Sequence, residues 1–254
     1  KDLMEKYGIP TAKYSCFNDP DLAKLYIKDK GVPCVIKADG LAAGKGVIIA
    51  TKLEEAYEAV DQLMNDGLVG GASNSNVVEE FLQGPEISVM AFCDGKTVKP
   101  MVWAKDHKKV YDGDEGPNTG GMGAISPPPF FKEKTAGLIT KEILEPTIDA
   151  MAAEGRPFQG VLFAGLMLTE SGPKLLEFNA RFGDPETQVV LTRLENDLID
   201  IIECILQGDL SKVQLTWKKE AAVCVVLVSG GYPGKYENGL EITGLDKIQG
   251  DNLK

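Results

Sequence analysis

The most informative stretch of this sequence is Leu175-Leu176-Glu177-Phe178-Asn179-Ala180-Arg181. Side chains alternate between the two faces of a β-strand, so Glu177, Asn179 and Arg181 are expected on one face. Carboxylate and amide oxygens are ligands that Mg²⁺ accepts, and an arginine can hold a phosphoryl or carboxylate oxygen with two donors. A cross-strand ion pair is the alternative interpretation. The pattern predicts a strand that carries a metal site and an anion-binding arginine.

The composition limits the classes of function. The chain has 254 residues, of which 43% are apolar and 26% charged, and its formal net charge is -11. This is enough material for a buried core, and the acidity argues against a global electrostatic grip on nucleic acid or anionic lipid. No apolar run approaches the roughly 20 residues of a membrane helix, and the first residues lack a signal-peptide pattern. Five scattered cysteines without a C-x-x-C pair fit a reducing cytosol. We therefore expect a cytoplasmic enzyme that contacts neither nucleic acid nor a membrane.

A glycine-rich segment follows an apolar strand that ends near Lys37, and it reads Gly40-Leu41-Ala42-Ala43-Gly44-Lys45-Gly46. It is not a P-loop, because three residues separate its first two glycines and a glycine follows Lys45. Small residues still let backbone N–H groups approach phosphate oxygens, although an ordinary glycine hairpin is the alternative. Lys37 needs an anionic partner, which is either a protein carboxylate or a ligand phosphate.

Adjacent glutamates end the apolar run Val77-Val78-Glu79-Glu80-Phe81-Leu82, and Glu86 lies four residues further on. Alternation places one of the two glutamates inward and the other outward. An inward carboxylate can accept a hydrogen bond from an adenine amino group, and a carboxylate after the turn can hold ribose hydroxyls. A solvated strand end is the alternative.

Hairpins between helices predict an α+β fold with an antiparallel sheet. Residues 105–130 are predicted as a long loop, because they are dense in glycine, proline, aspartate and asparagine. One helix is expected from about Lys132 to Glu154, bent or interrupted at Pro146, and a long one from Pro185 to about Leu206. The single histidine, His107, excludes any site that needs two histidines from this chain, and a structural role is its commoner one.

Four stretches, in this order, resemble the ATP-grasp superfamily and, within it, the phosphoribosylamine–glycine ligase (glycinamide ribonucleotide synthetase) family. They are Lys37-Ala38-Asp39-Gly40-Leu41-Ala42-Ala43-Gly44-Lys45-Gly46-Val47, Asp106-His107-Lys108, Gly116-Pro117-Asn118-Thr119-Gly120-Gly121-Met122-Gly123-Ala124 and Glu177-Phe178-Asn179-Ala180-Arg181-Phe182-Gly183-Asp184-Pro185-Glu186. The last two are specific to the ligase family.

The resemblance implies an ATP-grasp fold with two α+β lobes whose mostly antiparallel sheets clamp ATP. It places the ATP-grasp domain at 1–220, with a small lobe over about 13–92 and a large lobe over about 93–220 plus 1–12. Residues 221–254 resemble the start of the family's C-terminal domain. The family's N-terminal domain and most of its C-terminal domain are then expected to lie outside this stretch.

The resemblance also implies a role for individual residues. The residues implied in ATP binding are Lys1, Lys37, Gly44, Lys45, Gly46, Glu79, the backbone of Glu80, Phe81 and Leu82, and Glu86. Glu177 and Asn179 are implied as ligands of Mg²⁺ or Mn²⁺, with Lys37 and Arg181 as catalytic groups. The segments implied to face the substrate, together with Arg181, are Asp106, His107 and Lys108, and Asn118, Thr119, Gly120, Gly121, Met122 and Gly123.

The implied activity is an ATP-dependent ligation of glycine to 5-phosphoribosylamine through glycyl phosphate, a step of purine biosynthesis. Lys109 stands where the family usually has arginine, and Phe163-Ala164-Gly165-Leu166 lacks the acidic residue that many ATP-grasp enzymes carry there. Two alternatives stay open. One is a nucleotide-binding module without turnover on its own, and the other is a carboxylate–amine ligase that uses a different acid.

Overall fold

The computed structural model describes residues 1–40, 46–64 and 75–248 of the chain. Packing divides the chain into two units. The first unit comprises Lys1–Pro85 and Met167–Leu176, and the second comprises Glu86–Leu166 and Glu177–Lys254. The domain and lobe limits predicted above stay a prediction.

The first unit contains three described helices and a four-stranded sheet. Its elements are α1 (Asp2–Lys6), β1 (Tyr14–Phe17), α2 (Pro20–Lys30), β2 (Cys34–Ala38), β3 (Val47–Ala50), α3 (Leu53–Met64) and β4 (Asn76–Glu80). Helix α2 begins where the sequence dictates, because the Asp19 carboxylate accepts hydrogen bonds from the N–H groups of Asp21 and Leu22. Pro20 is preset for the first turn, and α2 ends at Gly31 with φ 86°.

The sheet of the first unit has the order β1-β4-β2-β3, and each neighbouring pair is antiparallel. Helices α2 and α3 cover one face, where Ile27, Val60 and Leu63 pack with Ile36 and Val78. Because alternate residues point to opposite faces, Lys37 and Glu79 lie on the face away from these helices. The sheet register places Val35 opposite Glu79 and Lys37 opposite Val77, so Lys37 and Glu79 are diagonal neighbours.

The second unit holds most of the strands. They are β5 (Glu86–Asp94), β6 (Val98–Pro100), β7 (Lys105–Asp106), β8 (Lys109–Tyr111), β9 (Glu115–Asn118), β10 (Gly123–Ser126), β11 (Gln159–Thr169), β12 (Gly172–Asn179) and β13 (Ala222–Val225). Of these strands, the end of β11 from Met167 and the part of β12 up to Leu176 belong to the first unit. The sheets have the orders β12-β11-β5-β6, β13-β10-β7 and β8-β9. Helices and largely antiparallel sheets together confirm the α+β prediction.

The helices of the second unit are α4 (Glu133–Ile139), α5 (Glu145–Ala153), α6 (Glu186–Val190) and α7 (Leu198–Gln207). A π-helical turn, Thr140–Leu144, lies between α4 and α5, just before Pro146. The helix is therefore irregular just before Pro146 and continues through this proline into α5. In the part of the chain that the structure describes, no helix has the length and apolar character that crossing a membrane requires.

Two predicted elements are wrong. The predicted loop over residues 105–130 contains four short strands, and Gly113 and Asp114 supply the positive φ angles of the β8–β9 turn. Residues typical of loops are also those of tight hairpins, so polarity alone misled the prediction. The predicted long helix ends at Val190, and α7 begins only after Asp197, which caps it. Asn196 interrupts the helix because its side chain hydrogen-bonds the backbone of Gln214 and Thr216.

Candidate active site

Glu79 joins two lysines in the first unit. Its Oε2 lies 3.2 Å from Nζ of Lys1 and 3.1 Å from Nζ of Lys37. The side chain of Glu79 is 2% exposed, and those of the two lysines are 9% and 17% exposed. The other carboxylate oxygen, Oε1, is buried and has no hydrogen-bond partner among the described residues. The structure thus brings together three residues that the resemblance implied in ATP binding.

Hydrogen bonds to a threonine hydroxyl and to a backbone carbonyl hold the two ammonium groups in place. Lys1 precedes α1, and its Nζ donates to Oγ1 of Thr11 at 2.6 Å. Thr11 in turn donates to the carbonyl of Leu175, and Lys37 Nζ donates to the carbonyl of Leu176 at 3.3 Å. Lys37 therefore has the protein carboxylate that the sequence left as one of two possibilities. Thr11 was missed because a threonine beside a proline carries no distinctive signal.

Glu80 points to the opposite side from Glu79 and is less buried, as alternation predicted. Its Oε1 accepts from the backbone N–H of Lys13 at 3.0 Å and from Nζ of Lys174 at 2.9 Å. Burial raises the pKa of this carboxyl, but these hydrogen bonds and the charge of Lys174 outweigh it, and the net pKa is below its ordinary value.

Three further ATP-binding predictions lie on connecting segments. Leu82 is buried and Phe81 partly so, in the stretch after β4. The carbonyl of Gly46 accepts a hydrogen bond from the N–H of Ala38 at 2.8 Å. The predicted flap residues Gly44 and Lys45 lie outside the described residues.

In the second unit, Lys108 forms an ion pair with Glu86. Both side chains are partly exposed. Burial lowers the pKa of the Lys108 ammonium. The pKa is raised by the charge and hydrogen bond of Glu86 and by the charges of Asp106 and Glu177. The net pKa is above its ordinary value. Glu86, implied as a ribose ligand, is thus paired with a residue that was implied to face the substrate.

Asp106, at the end of β7, and Glu186, at the start of α6, form an acidic pair. Oδ1 of Asp106 is buried without a partner among the described residues, while Oε1 of Glu186 accepts from the Ser88 hydroxyl at 2.6 Å. Burial, followed by the charge of Glu186, raises the pKa of Asp106 to about 7. Sequence reasoning gave Glu186 and Ser88 no role. The motif ending Asp184-Pro185-Glu186 was a signal, but a glutamate in a first helical turn is common.

The two segments that were implied to face the substrate are adjacent. Asp106 is opposite Ala124 in the β7–β10 pair, and Lys109 is opposite Asn118 in the β8–β9 pair. The backbone of His107 donates to the carbonyl of Gly123 and accepts from Met122, while the Thr119 hydroxyl donates to the carbonyl of Lys108. Gly120 N–H donates to the Tyr232 hydroxyl at 2.9 Å.

Glu177 and Asn179 lie side by side near the end of β12. Nδ2 of Asn179 is 3.4 Å from Oε1 of Glu177. No cluster of three or more His, Cys, Asp or Glu residues suited to a metal ion occurs within residues 1–40, 46–64 and 75–248. Mg²⁺ commonly takes one or two protein carboxylates and completes its shell with phosphate oxygens and waters. The pair therefore fits Mg²⁺, provided that most ligands come from outside the protein.

Arg181 does not share the strand with Glu177 and Asn179, so that part of the prediction is wrong. Strand β12 ends at Asn179, and the exposed Arg181 donates from Nη1 to the carbonyl of Phe182 at 2.9 Å. The chain turns here because Phe182 packs edge-on against Phe92 in the core, with 6.3 Å between ring centroids.

The family model described as phosphoribosylglycinamide synthetase, ATP-grasp (A) domain, matches residues 1–187. The chain belongs to this family. The resemblance seen in the sequence is confirmed.

Several relatives match all or nearly all of this chain. The chain is 53% identical over 253 residues to phosphoribosylamine–glycine ligase of Halalkalibacterium halodurans, and the match covers 100% of this chain and 59% of the relative. It is 52% identical over 251 residues to the chloroplastic ligase of Arabidopsis thaliana, covering 98% of this chain and 47% of the relative. The chain thus spans about half to three-fifths of the length of these relatives.

Solved structures confirm the ATP-grasp fold. The crystal structure of phosphoribosylamine–glycine ligase from Thermotoga maritima has a TM-score of 0.85 and 37% identity, and the match covers 93% of this chain and 59% of that one. Biotin carboxylase from Campylobacter jejuni has a TM-score of 0.67 at 18% identity, covering 88% of this chain and 48% of that one. The second match shows a shared fold alone.

Proposed function

We propose that this chain is the ATP-grasp part of a phosphoribosylamine–glycine ligase. Such an enzyme joins glycine to 5-phosphoribosylamine with ATP and forms glycinamide ribonucleotide, ADP and phosphate, a cytoplasmic step of purine biosynthesis. The observation that carries the proposal is the 53% identity, over the whole chain, to a ligase of that name. The ATP-grasp domain is proposed to span 1–220, with the C-terminal domain beginning at 221.

The first unit is proposed to contribute nucleotide-binding groups. Lys1 and Lys37 present two ammonium groups, held by Glu79, that suit phosphate oxygens. The unpaired Oε1 of Glu79 supports its proposed role as acceptor for the adenine amino group. The nucleotide-binding site is proposed to be completed by the backbone of residues 80–82 and by the Gly44-Lys45-Gly46 flap. Glu86 is proposed to bind the ribose.

Glu177 and Asn179 are proposed to hold Mg²⁺ or Mn²⁺. When bound, the ion would neutralise phosphate charge. The supporting observation is the placement of a carboxylate and an amide 3.4 Å apart. Lys37 and Arg181 are proposed to bind the phosphoryl and acyl-phosphate oxygens. Their positive charges would add to that of the metal ion.

The proposed reaction needs no protein nucleophile. A carboxylate oxygen of glycine attacks the γ-phosphorus of ATP, ADP leaves, and the amine nitrogen of phosphoribosylamine then attacks the acyl carbon and expels phosphate. Catalysis by this route rests on positioning and charge neutralisation. Asp106, His107, Lys108 and the segment 118–123 are proposed to position the phosphoribosylamine, supported by their backbone contacts with one another.

The test measures ADP release by the protein as its gene encodes it, with glycine and phosphoribosylamine supplied singly and together. We expect release of ADP that depends on both substrates and on Mg²⁺ or Mn²⁺. The variant Glu177→Gln should lose most turnover, whereas Glu170→Gln, in the exposed β11–β12 turn, should keep it. Release with another acid in place of glycine would support a different ligase, and ATP binding without any release would support a nucleotide-binding module.

A further inference from the structure

A cavity of about 340 Å³ lies within the second unit and contains none of the residues assigned above to the reaction. Its walls come from the segment after β6, from α4 with the π-helical turn, and from the segments around Arg193 and Trp217. Three of its lining residues are aromatic, namely Trp103, Phe131 and Trp217, and Trp103 and Phe131 pack edge to face at 4.8 Å between ring centroids. The volume lies at the lower end of the range of about 300–1,000 Å³ for small-molecule sites.

Arg193 is the charged residue of this apolar wall, and it is 7% exposed. Nη1 donates to the Ser126 hydroxyl at 2.8 Å and Nη2 to the carbonyl of Lys218 at 3.1 Å. Both acceptors are neutral, and Nε is buried without an acceptor among the described residues. A guanidinium has five N–H donors, so three remain after these two bonds.

A buried cation normally has a carboxylate partner, because the loss of hydration is costly. Burial lowers the pKa of Arg193, and the charge of Glu220 acts against this effect, but no carboxylate of the described residues forms an ion pair with the guanidinium. A purely packing role would not require an unpaired charge beside an unfilled apolar space. The π-helical turn that brings Thr140 to the wall is itself a feature often found at functional sites.

We propose that this cavity binds a small organic carboxylate with an apolar body about the size of one aromatic ring. The body would pack against Trp103, Phe131 and Trp217, and the carboxylate would pair with Arg193. This site is independent of the ligase reaction proposed above. The ligand is thus an amphiphilic monocarboxylate.

The experiment uses the protein as its gene encodes it and three probes: 3-phenylpropionate, its neutral analogue 3-phenylpropanamide, and acetate. Calorimetry should show binding of 3-phenylpropionate, with the amide about ten- to a hundredfold weaker because it lacks the charge-assisted hydrogen bond. Acetate should bind too weakly to detect at the same concentrations. Both tryptophans of the chain line the cavity, so 3-phenylpropionate should also change their fluorescence, and Trp217→Phe should reduce that change.

A pair of variants on helix α4 tests the location. Ala136→Leu adds volume to the cavity wall and should abolish binding of 3-phenylpropionate. Gly137→Leu is the matched control, because a Cβ there meets nothing within 4 Å, and it should bind as the unmodified protein does. Arg193→Lys should weaken binding and Arg193→Met should remove the preference for the acid over the amide.

Arg193 also links Ser126 to Lys218, so its variants can fail to fold. The comparison of acid with amide on the unmodified protein, and the Ala136→Leu variant, do not depend on them. The proposal is overturned if 3-phenylpropionate does not bind, if acid and amide bind equally, or if Ala136→Leu binds as tightly as Gly137→Leu.

Discussion

Replacing Glu79 with glutamine removes the negative charge that two ammonium groups share in the first unit. Glutamine has nearly the same shape, so the packing of β4 against α3 is kept and only the charge is lost. Lys1 and Lys37 then lie 9% and 17% exposed beside a neutral amide. The buried ion pairs at 3.2 and 3.1 Å become two poorly solvated cations.

Removing one partner of a buried ion pair costs about 3–5 kcal/mol, because the remaining charge is left uncompensated. We expect a loss in this range for Glu79→Gln. Glu80→Gln is the matched control, since Glu80 and Lys174 are partly exposed and a pair of this kind contributes about 0.2–1 kcal/mol. For a chain of this size, about 2–4 °C of melting temperature corresponds to 1 kcal/mol. Glu79→Gln should therefore lower the melting temperature by roughly 6–20 °C.

Thermal unfolding followed by circular dichroism measures both variants under the same conditions. ATP titrations by calorimetry add a second readout, and we expect weaker ATP binding by Glu79→Gln because the ammonium groups lose their fixed positions. A melting temperature for Glu79→Gln equal to that of Glu80→Gln would refute the reasoning that Glu79 holds the two lysines.

Two further predictions concern the second unit. Asp106 has a folded-state pKa of about 7, above its unfolded value of about 3.9, so the folded state binds the proton more tightly. The unfolding free energy of the unmodified protein should fall relative to that of Asp106→Asn as pH rises from about 4 to about 7, and the difference should then be constant. Melting temperatures of both proteins across this range measure the effect. A difference in melting temperature that does not vary with pH would contradict the assignment. Gly183→Ala places a Cβ 2.5 Å from Oε2 of Glu186, so it should lower the free energy of unfolding in urea by about 1–3 kcal/mol. At Gly137 a Cβ meets nothing within 4 Å, so Gly137→Ala should raise the free energy of unfolding by about 0.5–1 kcal/mol. Equal effects of the two alanines would show that Gly183 is not constrained by its neighbours.

Local signals predicted much of the secondary structure. Asp19 and Pro20 fix the start of α2, and the apolar run before Glu79 indicates β4, because these signals depend on neighbours in sequence. The same reasoning failed at Asn196, whose effect on the helix depends on a backbone segment near Thr216. It also failed over residues 105–130, where glycine-rich hairpins resemble a loop until their strands pair.

Some residues of the candidate site could likewise be predicted from the sequence, and others could not. Motif residues such as Glu177, Asn179 and Asp106 could be singled out from the sequence because their chemistry and spacing are local properties. Their partners could not, since Ser88 and Glu186 are separated by 98 positions and meet only through packing.

The order and residue types of the chain alone determined its family, its α+β class and the alternation that turns Glu79 inward and Glu80 outward. Tertiary structure alone decided that Glu79 holds both Lys1 and Lys37, that Arg181 leaves the strand, and that Arg193 lines an apolar cavity. The physical reason is that burial and pairing depend on which distant segments pack together. Strand alternation and helix capping depend only on residues a few positions apart.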